Sequence, residues 1–353
     1  MRLHTIFLLC FTGVGLMTLA QPEARNRKGD KTSPASDSPA TPAPDASAAP
    51  VWDTLKLADG KIYIGMTLKR QMHGEGVLLG LAGDTIYKGT YLAGKKEGKG
   101  TYTSKAGVYT GEWVANMMQG TGIMQYASGD YYEGGWSANA PHGQGIMKYK
   151  DGSRYEGEFV AGKRQGAGQL TTGNTVYTGT WAQDMLNGQG SMRRQETTYT
   201  ETYEGGFQNF KYHGQGTWRR SQDSIMNEYT GNWQEGMTLG EGVYRINGRE
   251  YTGTWAADKI TGTGICRTET GVYEGAFVDG YFQGKGSFTY LDNSVYIGDW
   301  VRDFRQGKGT YSAADGSEYY GDWYMDAPHG TGKKTLADGT VIEGTFRNGK
   351  YVP

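Results

Sequence analysis

Four of the five histidines, one cysteine and a set of acidic residues are the side chains here with the widest chemical reach. His73, His142, His213 and His329 are of the right type to bind a metal or move a proton. Each stands directly before a Gly-x-Gly, at the same place in a pattern that recurs along the chain. If successive patterns are successive hairpins of one sheet, they lie about 9–10 Å apart, and the closest histidine pair is separated by roughly 29 Å. Such histidines cannot converge on one metal, so the sequence predicts no metal site. Glu156 and Glu158 share a spacing at which a carboxylate pair could be tried for acid–base chemistry. They stand among Glu112, Glu133, Glu204, Glu274, Asp299, Asp322 and Glu343 in the same pattern and read as a solvated acidic face. The Gly-x-Gly pairs lack the following helix that a phosphate loop needs. Neither a Gly-x-Ser-x-Gly elbow nor a His-Glu-x-x-His pair occurs. The expectation is a protein that is not an enzyme and takes no cofactor.

The elements that position these residues follow from the repeat. Let position 0 be a Tyr with Gly two residues later. The anchors are Tyr63, Tyr87, Tyr109, Tyr132, Tyr155, Tyr177, Tyr203, Tyr229, Tyr251, Tyr273, Tyr296 and Tyr319, with Ile342 in a thirteenth, truncated unit. Their spacing is 22 to 24 residues, with two steps of 26. Gly stands at +2 throughout, an aromatic at +4 in all units but the first, and Gly-x-Gly at +11 and +13 in every complete unit. Positions 0, +2 and +4 share one face of a strand, and +1 and +3 share the other, polar face. Five or six loop residues are expected before the Gly-x-Gly opens a return strand. That strand carries an apolar column at +15, from Leu78 to Tyr311, in which Cys266 reads as a small buried hydrophobe. Asp-Gly pairs such as Asp151-Gly152 and Asp315-Gly316 supply turns into the next unit. Lone hairpins of this size are marginal, so the units must stack edge to edge.

The motif Tyr132-Glu-Gly-Gly-Trp136 followed by His142-Gly-Gln-Gly145 resembles the MORN repeat family, and the match covers about residues 52–350. The resemblance implies an all-β fold: an elongated, single-layer antiparallel sheet of about thirteen β-hairpin repeats. It also implies scaffolding, protein–protein contact, homodimerisation and an association with phospholipid membranes, with no catalytic activity in the repeats themselves.

The remaining residues set the context. Residues 1–20 have the layout of a signal peptide: Arg2, an apolar stretch from Ile6, and a small residue at Ala20. That apolar run is short for a membrane span. Residues 21–50, rich in Pro, Ala, Ser and Thr, read as a disordered linker before a repeat array at 51–353. The expected location is periplasmic, cell-surface or extracellular. Net charge is −1, which gives no general pull toward nucleic acid.

The candidate binding surfaces are three. Two long connections, 193–202 and 219–228, each begin with an arginine pair (Arg193, Arg194 and Arg219, Arg220) and are expected to protrude side by side. An aromatic face is expected to be presented to a protein partner or to a second copy. The same face, through Trp233 and Trp255, would suit a cell-wall or glycan ligand. A basic edge formed by Lys95, Lys96, Lys163, Arg164, Lys211, Lys259 and Arg305, expected in the hairpin loops, would suit anionic lipid.

Overall fold

The computed structural model describes residues 49–353. The expected leader, 1–20, and linker residues 21–48 lie outside the described residues. The described chain holds 27 strands and, among the described residues, no helix. It divides into two compact units, one ending at Ala140 and one running from Pro141 to Pro353. Within each unit the strands pair antiparallel with their neighbours in sequence, as for Gly107–Val114 with Met117–Tyr126 and Gly271–Val278 with Tyr281–Tyr290. The antiparallel sheet of hairpin repeats is the fold that the columns require.

The hairpin from Gly107 to Tyr126 shows how the columns work. Its two strands are joined by only Ala115 and Asn116, with φ of 50° and 72°. Positive φ at both central residues is the two-residue turn whose twist matches that of the strands. The expected loop of five or six residues is therefore a tight turn, and the residues flanking it are strand. The register then shifts: Gly111 pairs with Gly122 but Trp113 pairs with Met118. Glu112 thus faces three residues, among them Gly120, whose φ of 68° suits glycine. The Tyr109 hydroxyl donates to the Glu112 carbonyl at this bulge (3.0 Å). The +11 glycine is needed for its dihedral.

The +13 glycine is needed for space. The +2 and +13 glycines lie opposite each other on successive strands, as in Gly89, Gly100, Gly111 and Gly122. A furrow without side chains results, and the tyrosine rings lie in it. A Cβ on Gly122 would fall against the Tyr109 ring, and one on Gly216 against the Tyr203 ring. Rings then meet edge to face: Tyr109–Trp113 centroids are 5.2 Å apart at 89°, and Tyr109–Trp136 are 4.9 Å apart at 77°. Both are preferred aromatic geometries. The indole N–H groups also reach backbone, Trp113 donating to the Gly100 carbonyl (3.2 Å) and Trp181 to that of Gly168 (3.0 Å).

The sequence expectation of an outward aromatic face is overturned by this packing. The Tyr and +4 columns are buried within the chain. Two flanking columns on the same face close over them. One is the +15 column, with Met124 paired to Tyr109 and Cys266 to Tyr251. The other, at +9, has no counterpart in the sequence reading: Leu186 faces Trp181, Ile260 faces Trp255 and Phe282 faces Phe277.

The two long connections do not protrude as loops. They lengthen their hairpins, so that Met185–Gln195 pairs with Thr200–Gln208 as far as Gln195 and Thr200. Lys211–Gln222 likewise pairs with Ile225–Gln234 as far as Gln222 and Ile225.

Candidate interaction surface

Burial, pairing and exposure sort the candidate residues. Trp233 and Trp255 are 2% and 1% exposed, so neither ring offers a face to a sugar. The Trp233 indole is engaged with the Gly216 carbonyl (3.2 Å). The four arginines of the long hairpins are also engaged. Arg193 reaches the Gln195 side chain (3.4 Å) and Arg194 pairs with Glu201 (3.3 Å). Arg220 lies 3.8 Å from the Tyr199 ring centroid. Arg219 starts a cross-strand ladder on the polar face: Arg219–Glu228 (2.7 Å), Glu228–Arg245 (2.9 Å) and Arg245–Glu250 (2.9 Å). Between two guanidinium groups, Glu228 is held below its ordinary pKa by their hydrogen bonds, against the opposing effect of burial.

The basic edge is made of strand residues, because the turns are so short. Most of its charges are taken up by the next hairpin. Lys211 pairs with Glu235 (2.7 Å), Lys259 with Asp279 (2.9 Å), and Lys163 donates to Gln183 (2.7 Å). Arg164 and Arg305 occupy the +9 column, over Trp181 and Trp323 at 4.7 and 4.6 Å. Each pairs with an Asp at the next +7 position, Asp184 or Asp326. Lys96 is the third cation of that column and sits over Tyr102 and Trp113.

The +7 column itself has a common task. Its side-chain oxygen accepts the backbone N–H of the preceding unit's +9 residue: Asn116 from Lys96 (2.8 Å), Asn139 from Met118 (2.9 Å), Asp184 from Arg164 (3.0 Å), Asp258 from Thr238 (2.8 Å) and Asp303 from Phe282 (2.7 Å). Among the described residues no salt bridge joins Asp258 or Asp303. Burial raises the pKa of both, that of Asp303 to about 6. Burial likewise pushes the Cys266 thiol up to about 11, the reverse of what a nucleophilic thiolate needs.

His73, His142, His213 and His329 lie at +10 on separate hairpins, on strands. Elsewhere +10 holds residues whose side chains accept the N–H of the next turn, as Gln119 does from Ala138 (3.1 Å). Among the described residues no group of three His, Cys, Asp or Glu comes together to hold a metal. Glu156 pairs with Arg154 at 2.7 Å on its own strand.

What stays open is the rim of hairpin tips on the face away from the rings. Positions +5 and +8 pair across each tip. In the last complete hairpins these are Val278 with Tyr281, Val301 with Phe304 and Tyr324 with Ala327. Val278 is 52% exposed and Tyr324 50%, and Met325 at the neighbouring turn is exposed as well. The five earlier tips in the same unit are mixed at these positions: Val160 with Lys163, Ala182 with Met185, Gln208 with Lys211, Gln234 with Met237 and Ala256 with Lys259.

The family model of the MORN repeat matches ten segments: 87–108, 109–131, 132–154, 155–174, 177–195, 229–248, 251–271, 273–295, 296–318 and 319–341. The chain belongs to the MORN repeat family. The hairpins starting at Tyr63 and Tyr203 fall outside those segments but carry the same glycine pairing and ring packing. Comparison with curated proteins finds no match. Among solved structures, the wild-type TCP10 domain of Danio rerio CPAP in complex with a peptide of Danio rerio STIL is 11% identical. That alignment covers 84% of this chain and 100% of that one at a TM-score of 0.22, too low to carry an argument.

Proposed function

We propose that this MORN array is an exported, non-enzymatic scaffold that binds a protein partner through the apolar tips of its last three complete hairpins. The observation that carries this reading is the exposed Val278, Tyr281, Val301, Tyr324 and Met325 on consecutive tips. Isolated exposed apolar residues are ordinary; three consecutive tips that carry no charged residue in either paired position, where four of the five earlier tips of the unit carry a Lys or a Gln, point to a contact. Tyr and Met are also types enriched at interfaces. The aromatic columns serve the fold, which removes the stacking platform that a glycan reading needs. Four of the seven cations of the tips are paired to carboxylates of adjacent hairpins, which favours a protein partner over an anionic membrane. The leader-like residues 1–20 support export.

A photo-crosslinking residue placed at Val278 or Tyr324 is expected to capture a discrete partner from cells. The same probe at Glu274, exposed on the polar face of the sheet, is expected to capture none. A product of twice the chain mass would identify a second copy as the partner. Equal capture from all three positions, or capture from Glu274 alone, would sink the reading. Export is tested by fusing residues 1–30 to a reporter that is active only outside the cytoplasm.

A further inference from the structure

The three cations of the +9 column are built differently. Arg164 and Arg305 each lie over a tryptophan and each pair with the Asp of the next +7 position, at 3.4 and 3.3 Å. Each also donates to that residue's carbonyl, at 2.7 Å. Lys96 lies over three rings, with its Nζ 3.7 Å from the Tyr102 centroid, 4.4 Å from Trp113 and 5.2 Å from Tyr87. At its next +7 position stands Asn116, whose oxygen takes the Lys96 backbone N–H. No salt bridge joins Lys96 among the described residues. Directly across from it is Tyr91, buried and neutral. Glu97 on its own strand and Glu112 on the next strand occupy positions on the polar face. Glu97 accepts the Ala115 N–H (2.9 Å) and Glu112 the Thr121 hydroxyl (2.7 Å).

We propose that Lys96 is a preferred site of N-acylation by activated acyl groups such as thioesters, because it is the one ring-caged cation of its column with no carboxylate beside it. The ring faces attract the ammonium and work against this. Burial without a counter-charge works for it, pushing the pKa down to about 8. At pH 7.5 about a quarter of such an amine is neutral, against about 0.1% of an ordinary lysine. In the reaction the Nε lone pair adds to the thioester carbonyl and the C–S bond breaks. The thiolate leaves and takes up the proton lost by nitrogen, giving an amide and a free thiol. The product is uncharged, so nothing in the cage loses a counter-ion. At Arg164 or Arg305 loss of charge would break the ion pair with Asp184 or Asp326.

The test is limiting acetylation of the full chain by a small acetyl thioester, read by peptide mass spectrometry. Lys96 is expected to react about ten-fold faster than exposed Lys95, Lys99 and Lys105 at pH 7.5, with a rate profile whose midpoint lies near 8. Asn116→Asp installs the carboxylate found beside Arg164 and Arg305, and is expected to slow Lys96 about ten-fold while leaving the other lysines unchanged. Lys96 reacting no faster than its neighbours, or reacting equally fast in Asn116→Asp, overturns the proposal. Asp is already accommodated at +7 in four other hairpins, so this variant keeps the fold.

Discussion

Asp303 and Asn116 do the same job with different charge. Each gives an oxygen to a backbone N–H of the preceding hairpin, and each occupies a turn position with positive φ, 71° and 72°. An amide is sufficient there. The carboxylate of Asp303 is buried without a cation, and its pKa is raised to about 6 from an ordinary value near 4. A raised carboxyl pKa contributes stability that is full below the unfolded value and is lost as pH rises through the folded value. Between about pH 4 and pH 6 the folded chain is therefore progressively penalised. Asp303→Asn keeps the hydrogen bond to Phe282 and removes the charge. It is expected to stabilise the repeats around it by about 2 kcal/mol at pH 7 and by little at pH 4. Urea midpoints of both proteins at the two pH values measure this. An equal gain at both would show that the charge is not the cause.

At the scale of the hairpin, most of the fold was legible and the tip was not. Tyr, Gly and Trp at 0, +2 and +4 announce a strand with one apolar face, and the Asp-Gly pairs announce the turns between units. Asp151 and Asp315 do take the N–H two residues on, at 2.8 and 2.9 Å. The tips were misread because alanine occupies several of their left-handed positions, such as Ala93 with φ of 48°. Alanine is not a turn signal; glycine, asparagine and aspartate are. The +9 column was missed for a related reason. Met118, Arg164, Leu186 and Phe282 share a position but no polarity, so no apolar period shows. Burial of the rings was missed because a sequence says which residues share a face and not what closes over it. The arginine pairs were visible, but their partners Glu201 and Glu228 come from neighbouring strands. These facts also carry a prediction. Ala93→Asn creates Asn-Gly at a tip whose dihedrals suit it, and is expected to stabilise that hairpin by about 1 kcal/mol. A lower urea midpoint would contradict the turn assignment.

At the scale of the whole molecule, what matters is that a strand packs only against the strands on either side of it. Stability is then a sum of hairpin terms and nearest-neighbour terms, and damage should stay local. Gly216 is a suitable probe within the unit 141–353. It lies across from Gly205 and Gly231, and a Cβ there would collide with the Tyr203 ring. That ring cannot retreat easily, since it is stacked on Tyr212 at 3.8 Å and its hydroxyl donates to the Gly206 carbonyl (2.9 Å). Gly216→Ala is therefore expected to cost about 2 kcal/mol, as overpacking of a filled core does. In hydrogen exchange read by mass spectrometry, that loss should speed exchange in the hairpins starting at Tyr203 and Tyr229. The hairpins starting at Tyr296 and Tyr319, several repeats away, should exchange as before. Uniform acceleration from Pro141 to Pro353 would show that the unit opens as one cooperative body. The distinction bears on the binding proposal. If the hairpins are energetically separate, the apolar tips at Val278, Val301 and Tyr324 stay structured when the middle of the unit is damaged, and Gly216→Ala should leave crosslinking from Val278 intact.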